Sequence, residues 1–157
     1  MNEIGVTGFH ELKALLEQLP ARIARNTVAR AVYAGAVIVR NDARSRVTVK
    51  TGKLKRSIRI KRKRSRRGVF EVIYSVYPKE FYGYFVEHGT RAHEIKPKNK
   101  GIVALGKDGR LGKLVHHPGG KSKPFLKPSF NDNIPKIIEA MRVKLKEGIE
   151  REGAKKR

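Results

Sequence analysis

"VTVKTGKLKRSIRIKRKRSRRGVFEVIYSVYP", residues 47–78, is where the chain changes its period. Leu54, Arg56, Ile58 and Ile60 alternate with polar neighbours, and after a basic run Phe70, Val72, Tyr74 and Val76 alternate again. Period two is the spacing of a strand with one covered face. The stretch therefore predicts a β-hairpin near 54–77, with Gly68 suited to its turn. From Lys50 to Arg67 there are eleven Lys or Arg residues and no acid. Such a tip cannot be buried unpaired, so Arg59, Lys61, Arg62, Lys63, Arg64, Arg66 and Arg67 are expected to face a partner.

On the N-terminal side the period is helical. Phe9, Leu12, Leu15, Leu16 and Leu19 recur three or four apart after Thr7, a plausible N-cap, and Pro20 closes the run. A longer helix is predicted from Ala21 to Arg46, with Ile23, Thr27, Ala31, Ala34 and Ile38 beside Val28, Val32, Gly35 and Val39 as a broad stripe. Its small residues let a second element approach closely. On the C-terminal side, "EFYGYFVEHGT" places Phe81, Tyr84, Phe85 and His88 at i, i+3, i+4 and i+7 before Gly89 in a C-cap position, the pattern of a short helical or irregular element. Candidate strands "HEIKP…GIVAL" and "KLVHHPG" follow, joined through Asp108-Gly109. The last helix begins near Asn131, Asp132 or Asn133, has Pro135 in its first turn, and buries Ile134, Ile137, Ile138, Met141, Leu145 and Ile149. The reading is α+β: an antiparallel sheet on which a long N-terminal helix and a C-terminal amphipathic helix pack, in one domain over 1–157 with a frayed basic tail at 151–157.

The chain has 157 residues, no cysteine and a net charge of +23. One core is the default at this length. The absence of thiols excludes disulfides, thiolate zinc sites, iron–sulfur clusters and cysteine nucleophiles. No segment has the roughly 18 apolar residues of a membrane span, so a soluble protein made in the cytoplasm is expected. The charge favours polyanions and gives a partner's sign without its identity.

Catalytic patterns are weak. "GIVALGKD" puts Asp108 where a phosphate loop needs Ser or Thr, and "VHHPGGKS" has Val115 in place of the first glycine and Pro124 where a helix should begin. Ser57, Thr90 and Ser129 lie in no nucleophile elbow, and Glu71, Glu80, Glu87 and Glu94 are scattered. No enzyme activity and no cofactor is expected. The histidines are His10, His88, His93, His116 and His117, without a common ligand spacing. Strand pairing can bring His93 to His116 or His117, which leaves a metal site as an open alternative.

Non-sequence-specific nucleic-acid binding by the basic hairpin is the strongest rival to a purely structural role. No recognition helix, RNP aromatic motif or GXXG loop accompanies it, and Tyr74, Tyr77, Tyr82 and Tyr84 read as packing residues.

Three segments in order carry a resemblance: "TGKLKRSI" at 51–58, "YGYFVEHGT" at 82–90 and "HHPGGKSKPFLKPSF" at 116–130. Placed between a long and a final amphipathic helix, they resemble the minor tail component family of long-tailed bacteriophages, the neck, tail-completion or head-tail connector proteins. The resemblance implies a virion protein of the neck or tail that acts by assembly, as a homo-oligomeric ring among other neck and tail proteins through which the genome passes, away from any membrane. The size of the positive charge, beyond what the resemblance implies, adds contact with genome DNA as a second role. It gives the motif residues structural meanings. Gly52 permits the turn before Leu54 and Ile58; Glu87-His88-Gly89-Thr90 shapes a turn after Tyr84 and a buried Phe85; Pro124-Phe125 and Pro128 anchor the last helix. Lys121 and Lys123, in the Pro-flanked "KSKPFLKP", join the basic hairpin as expected partner contacts.

Overall fold

The computed structural model describes residues 9–17, 21–48, 50–64, 70–96, 103–105, 110–112 and 115–154. In chain order these form α1 (Phe9–Glu17), α2 (Ala21–Arg46), α3 (Lys53–Ser57), β1 (Ile58–Lys63), β2 (Ile73–Pro78), α4 (Tyr82–His88), β3 (His93–Ile95), β4 (Val103–Leu105), β5 (Arg110–Gly112), β6 (Val115–His117), α5 (Leu126–Asn131) and α6 (Ile134–Ala154). The architecture is α+β with antiparallel strands. Thr7, Leu19, Pro20, Gly68 and Asp108-Gly109, expected at helix ends and turns, lie outside the described residues, as do Arg66 and Arg67.

The long helix has the predicted bounds. Its fully buried ridge is Thr27, Ala31, Gly35, Val39 and Ala43, spaced by four, whereas Ala34 and Ile38 are half-buried. The small residues on that ridge admit α6, the element with which α2 packs most extensively. A Cβ at Gly35 would stand 2.9 Å from Ile137 Cγ2, and one at Gly148 only 2.4 Å from Thr27 Cγ2. Gly35 is thus beside the N-terminal half of α6 and Thr27 beside its C-terminal half, so the helices run antiparallel. The predicted apolar face of α6 is half-buried rather than buried, because α2 covers it from one side. The tail expected to fray from 151 is helical to Ala154, helped by a Lys146–Glu150 ion pair one turn before and by Arg151 near the negative helix end.

Among the described residues the strands form three two-stranded antiparallel ladders, β1-β2, β3-β6 and β4-β5. Within β1-β2, Ile58 opposes Pro78, Ile60 opposes Val76 and Arg62 opposes Tyr74. That row lies toward α2, with Ile58 fully buried and Ile60 and Val76 half-buried. The hairpin is shorter than its alternation suggested at both ends. Gly52, at φ 70, turns the chain into α3, where Arg56 N–H donates to Gly52 O and Ser57 Oγ donates to Leu54 O at 2.8 Å. Leu54, on α3, and Ile58, the extended residue that follows the helix and opens β1, thereby both reach the core four positions apart, a spacing that also satisfies period two. At the other end Phe70 is exposed and outside β2, and Arg25 stacks over its ring at 5.7 Å.

The core cluster is Ala43, Val47, Leu54, Ile58 and Phe125, with Val76, Tyr82, Val86 and Leu126 against it. Each of the three ordered motifs contributes to it. Among the described residues no helix is long and apolar enough to cross a membrane.

Candidate interaction site

Residues 82–95 and 115–127 are bound to each other along their length. His93 opposes His117 and Ile95 opposes Val115 in the β3-β6 ladder; Thr90 and Gly120 exchange backbone hydrogen bonds of 2.9 and 3.0 Å; Lys123 N–H donates to Val86 O at 2.8 Å. Two left-handed glycines permit this closeness. Gly89 has φ 75 and Gly119 has φ 84, and a Cβ on either would stand under 3 Å from the facing backbone.

Glu87 completes the junction. Its Oε2 accepts from Phe125 N–H at 2.7 Å and Leu126 N–H at 2.8 Å, and its Oε1 from Lys127 N–H at 2.9 Å. The next residue, Pro128, has no N–H, so the first turn of α5 leaves no backbone donor without a partner. Burial pushes the Glu87 carboxyl up, but the N–H groups of Leu126, Phe125 and Lys127, together with the charge of His88, outweigh it and hold the group below the usual carboxylate range. The donors that Glu87 accepts from stand 38 to 40 positions away in the sequence, which no local pattern reveals. Downstream, Ser129 Oγ donates to Phe125 O, and Asn133 Nδ2 donates to Ser129 O at 3.0 Å.

This fixation decides which face of α4 looks outward. Gly83 and Glu87 are buried and Tyr82 and Val86 half-buried; a Cβ at Gly83 would meet Pro78 at 2.5 Å and Leu54 at 3.0 Å. The opposite face holds the aromatic spacing noted in the sequence, and it is exposed: Phe81 by 79%, Tyr84 by 64% and Phe85 by 47%. Phe85 and Tyr84 are therefore not core residues. Their rings pack on one another instead, Phe81–Phe85 and Tyr84–Phe85 edge to face at 6.4 and 6.0 Å, with Tyr84 on His88 at 4.5 Å. The segment read as extended and partner-facing conversely contains Phe125, 1% exposed, the largest fully buried side chain described. Lys121 and Lys123 are exposed beside it.

Arg59, Lys61, Arg62, Lys63 and Arg64 are all exposed. The hairpin register divides them: Arg59, Lys61 and Lys63 oppose Tyr77, Ser75 and Ile73 on the outer face, and Arg62 is on the face toward α2. The histidines come together in part. His93 and His117 stack with centroids 5.1 Å apart, His93 Nδ1 donates to Arg91 O, and His117 Nδ1 accepts from Gly119 N–H. His116 lies 3.5 Å from Glu94. Among the described residues no three His, Cys, Asp or Glu side chains converge as metal ligands.

A family model described as "Bacteriophage HK97-gp10, putative tail-component" matches residues 10–89. The match takes in α2, α3, the β1-β2 hairpin and α4, up to the glycine that ends α4. No curated protein and no solved structure matches the chain.

Proposed function

The chain belongs to the HK97-gp10-like family of bacteriophage tail components, and from that premise we propose that it joins or completes the connection between capsid and tail as one copy of a homo-oligomeric ring in the neck. A tail component is part of the virion, and in this reading the chain acts by assembly. Its partners in this reading are neighbouring copies and other neck and tail proteins, and it is made in the cytoplasm of the bacterial host before it docks.

The observation that carries this reading is the aromatic face of α4. Phe81, Tyr84 and Phe85 are large, exposed and contiguous, and they sit on a helix whose orientation is fixed by Glu87. Aromatic side chains on a rigid element are what a protein interface uses as anchors. We assign the face to a neighbouring copy in the ring, because a stripe of Phe81, Tyr84, Phe85 and His88 lets chains of charge +23 meet without apposing Lys or Arg.

The test is electron microscopy of lysates from phage with an early stop codon in this gene. Filled heads separate from tails, rescued by the wild-type protein and not by the double variant Phe81→Ser, Tyr84→Ser, are expected. Normal infectious particles from the stop-codon phage would overturn the assembly role. Rescue by the double variant would remove α4 from the interface.

A further inference from the structure

The outer face of the β1-β2 hairpin carries a row of cations; neither strand contains an acid, and Glu71, just before β2, lines a hollow with Arg62, Lys63 and Arg64 at the end of the row. Ile58 and Ile60 point to the core side of β1, so the alternating residues Arg59, Lys61 and Lys63 point outward. Their cross-strand partners on that face are Tyr77, Ser75 and Ile73. Among the described residues none of the three cations has an ion-pair partner. Holding three like charges in line costs self-repulsion, which an opposing polyanion relieves.

We propose that this face binds the phosphodiester backbone of nucleic acid, without reading base sequence. A strand rises about 3.4 Å per residue, so the three charges repeat about every 7 Å and span about 14 Å. That is the axial length of about four phosphates along one strand of a duplex. A phosphodiester chain repeats its charge at constant spacing and matches such a row, whereas acids on a folded protein surface have no common repeat. The hydroxyl-bearing residues Ser75 and Tyr77 stand across the ladder from Lys61 and Arg59 and can donate to phosphate oxygens. The row carries no Asn or Gln to read adenine edges, and its evenly spaced charges are assigned to the phosphate backbone, with the hairpin held against α2. This inference goes beyond the assembly role and is independent of it: a ring protein that fails this test remains a ring protein.

The experiment is fluorescence anisotropy of the full chain titrated onto a labelled 30-bp duplex of mixed sequence, repeated across sodium chloride concentrations. The triple variant Arg59→Gln, Lys61→Gln, Lys63→Gln is compared with a charge-matched control, Lys136→Gln, Lys144→Gln, Lys146→Gln on α6. The face variant is expected to flatten the log–log salt slope by about 2.7, three contacts at about 0.9 each, while the control stays within one unit of wild type. Urea midpoints confirm that both variants are folded. An unchanged slope in the face variant, or an equal loss in the control, would overturn the proposal. Displacement of the duplex by polyglutamate at equal charge concentration would overturn it in favour of an acidic protein partner.

Discussion

Along α2 the residues Thr27, Ala31, Gly35, Val39 and Ala43 are buried, whereas along α4 Phe81, Tyr84 and Phe85, also at helical spacing, stand in solvent. Both runs satisfy the periodicity by which a buried helix face is recognised. The difference is in what the opposite face of each helix is doing. On α2 the opposite face carries charges such as Arg30 and Arg40, and the small ridge accepts α6 closely at Thr27 and Gly35. On α4 the opposite face carries Gly83 and Glu87, which approach Pro78, Leu54 and the start of α5 more closely than an aromatic side chain would allow. Periodicity shows that a helix has two faces; it does not show which one the rest of the chain will cover. A large apolar face left outside is then a candidate for covering by another molecule.

Breaking the covered side of α4 should give the largest effects. Phe125→Ala removes the aromatic side chain that fills the space between α3, β1 and α4, and is expected to cost about 4 kcal/mol in urea unfolding. An effect below about 1 kcal/mol would mean that Phe125 is not the centre of that cluster.

Glu87→Ala should follow, at about 3 kcal/mol, because it strands the N–H groups of Phe125, Leu126 and Lys127. The pH dependence has a definite sign. The carboxyl titrates lower in the fold than in the unfolded chain, where it is about 4.3, so its contribution is complete above that value and is lost as pH falls through the folded one. Unfolding curves from pH 7 to pH 2 should therefore show a shallower acid limb for Glu87→Gln than for wild type. Parallel limbs would show that the carboxylate does not hold α5.

The third test sharpens the α2 side. Gly148→Leu places a side chain where even a Cβ would stand 2.4 Å from Thr27 Cγ2, and is expected to cost about 2 kcal/mol by forcing the helices apart. The smallest effect on stability belongs to Phe81→Ser, which should shift the urea midpoint by less than about 0.5 kcal/mol equivalent while abolishing complementation. A large loss of stability there would mean that the stripe supports the monomer, and the contrast between the two helices would disappear.

Much of this fold is legible in local pattern. The bounds of α2, the short helix closed by Gly89 and the pairing of the two alternating runs follow from spacing and from where glycine stands, because these depend on residues a few positions apart. The hairpin ends were not legible. Leu54 and Ile58 fit both a helical turn and a strand, and only the hydrogen bonds following Gly52 choose between them. The role of Phe125 was hidden for a related reason: in "KSKPFLKP" it stands alone among lysines and prolines, with no periodic neighbours to mark it as buried.

The interaction site divides in the same way. The exposed cations of β1 were evident, since a dense run of unpaired charge has no place in a core. The aromatic spacing of α4 is equally legible, but spacing alone points it at the core, whereas Phe81, Tyr84 and Phe85 stand in solvent.

By itself the sequence determined the α+β class, the long small-residue helix, the net charge of +23 and, over residues 10–89, membership of a phage tail-component family. Those properties are additive along the chain and survive without knowledge of what touches what. Only the tertiary structure decided that Glu87 closes α5, that Phe125 is core and Phe81 is surface, and that three of the hairpin's cations share one outer face. Each of these depends on a partner distant in sequence or on a strand register, and both are set when the chain packs.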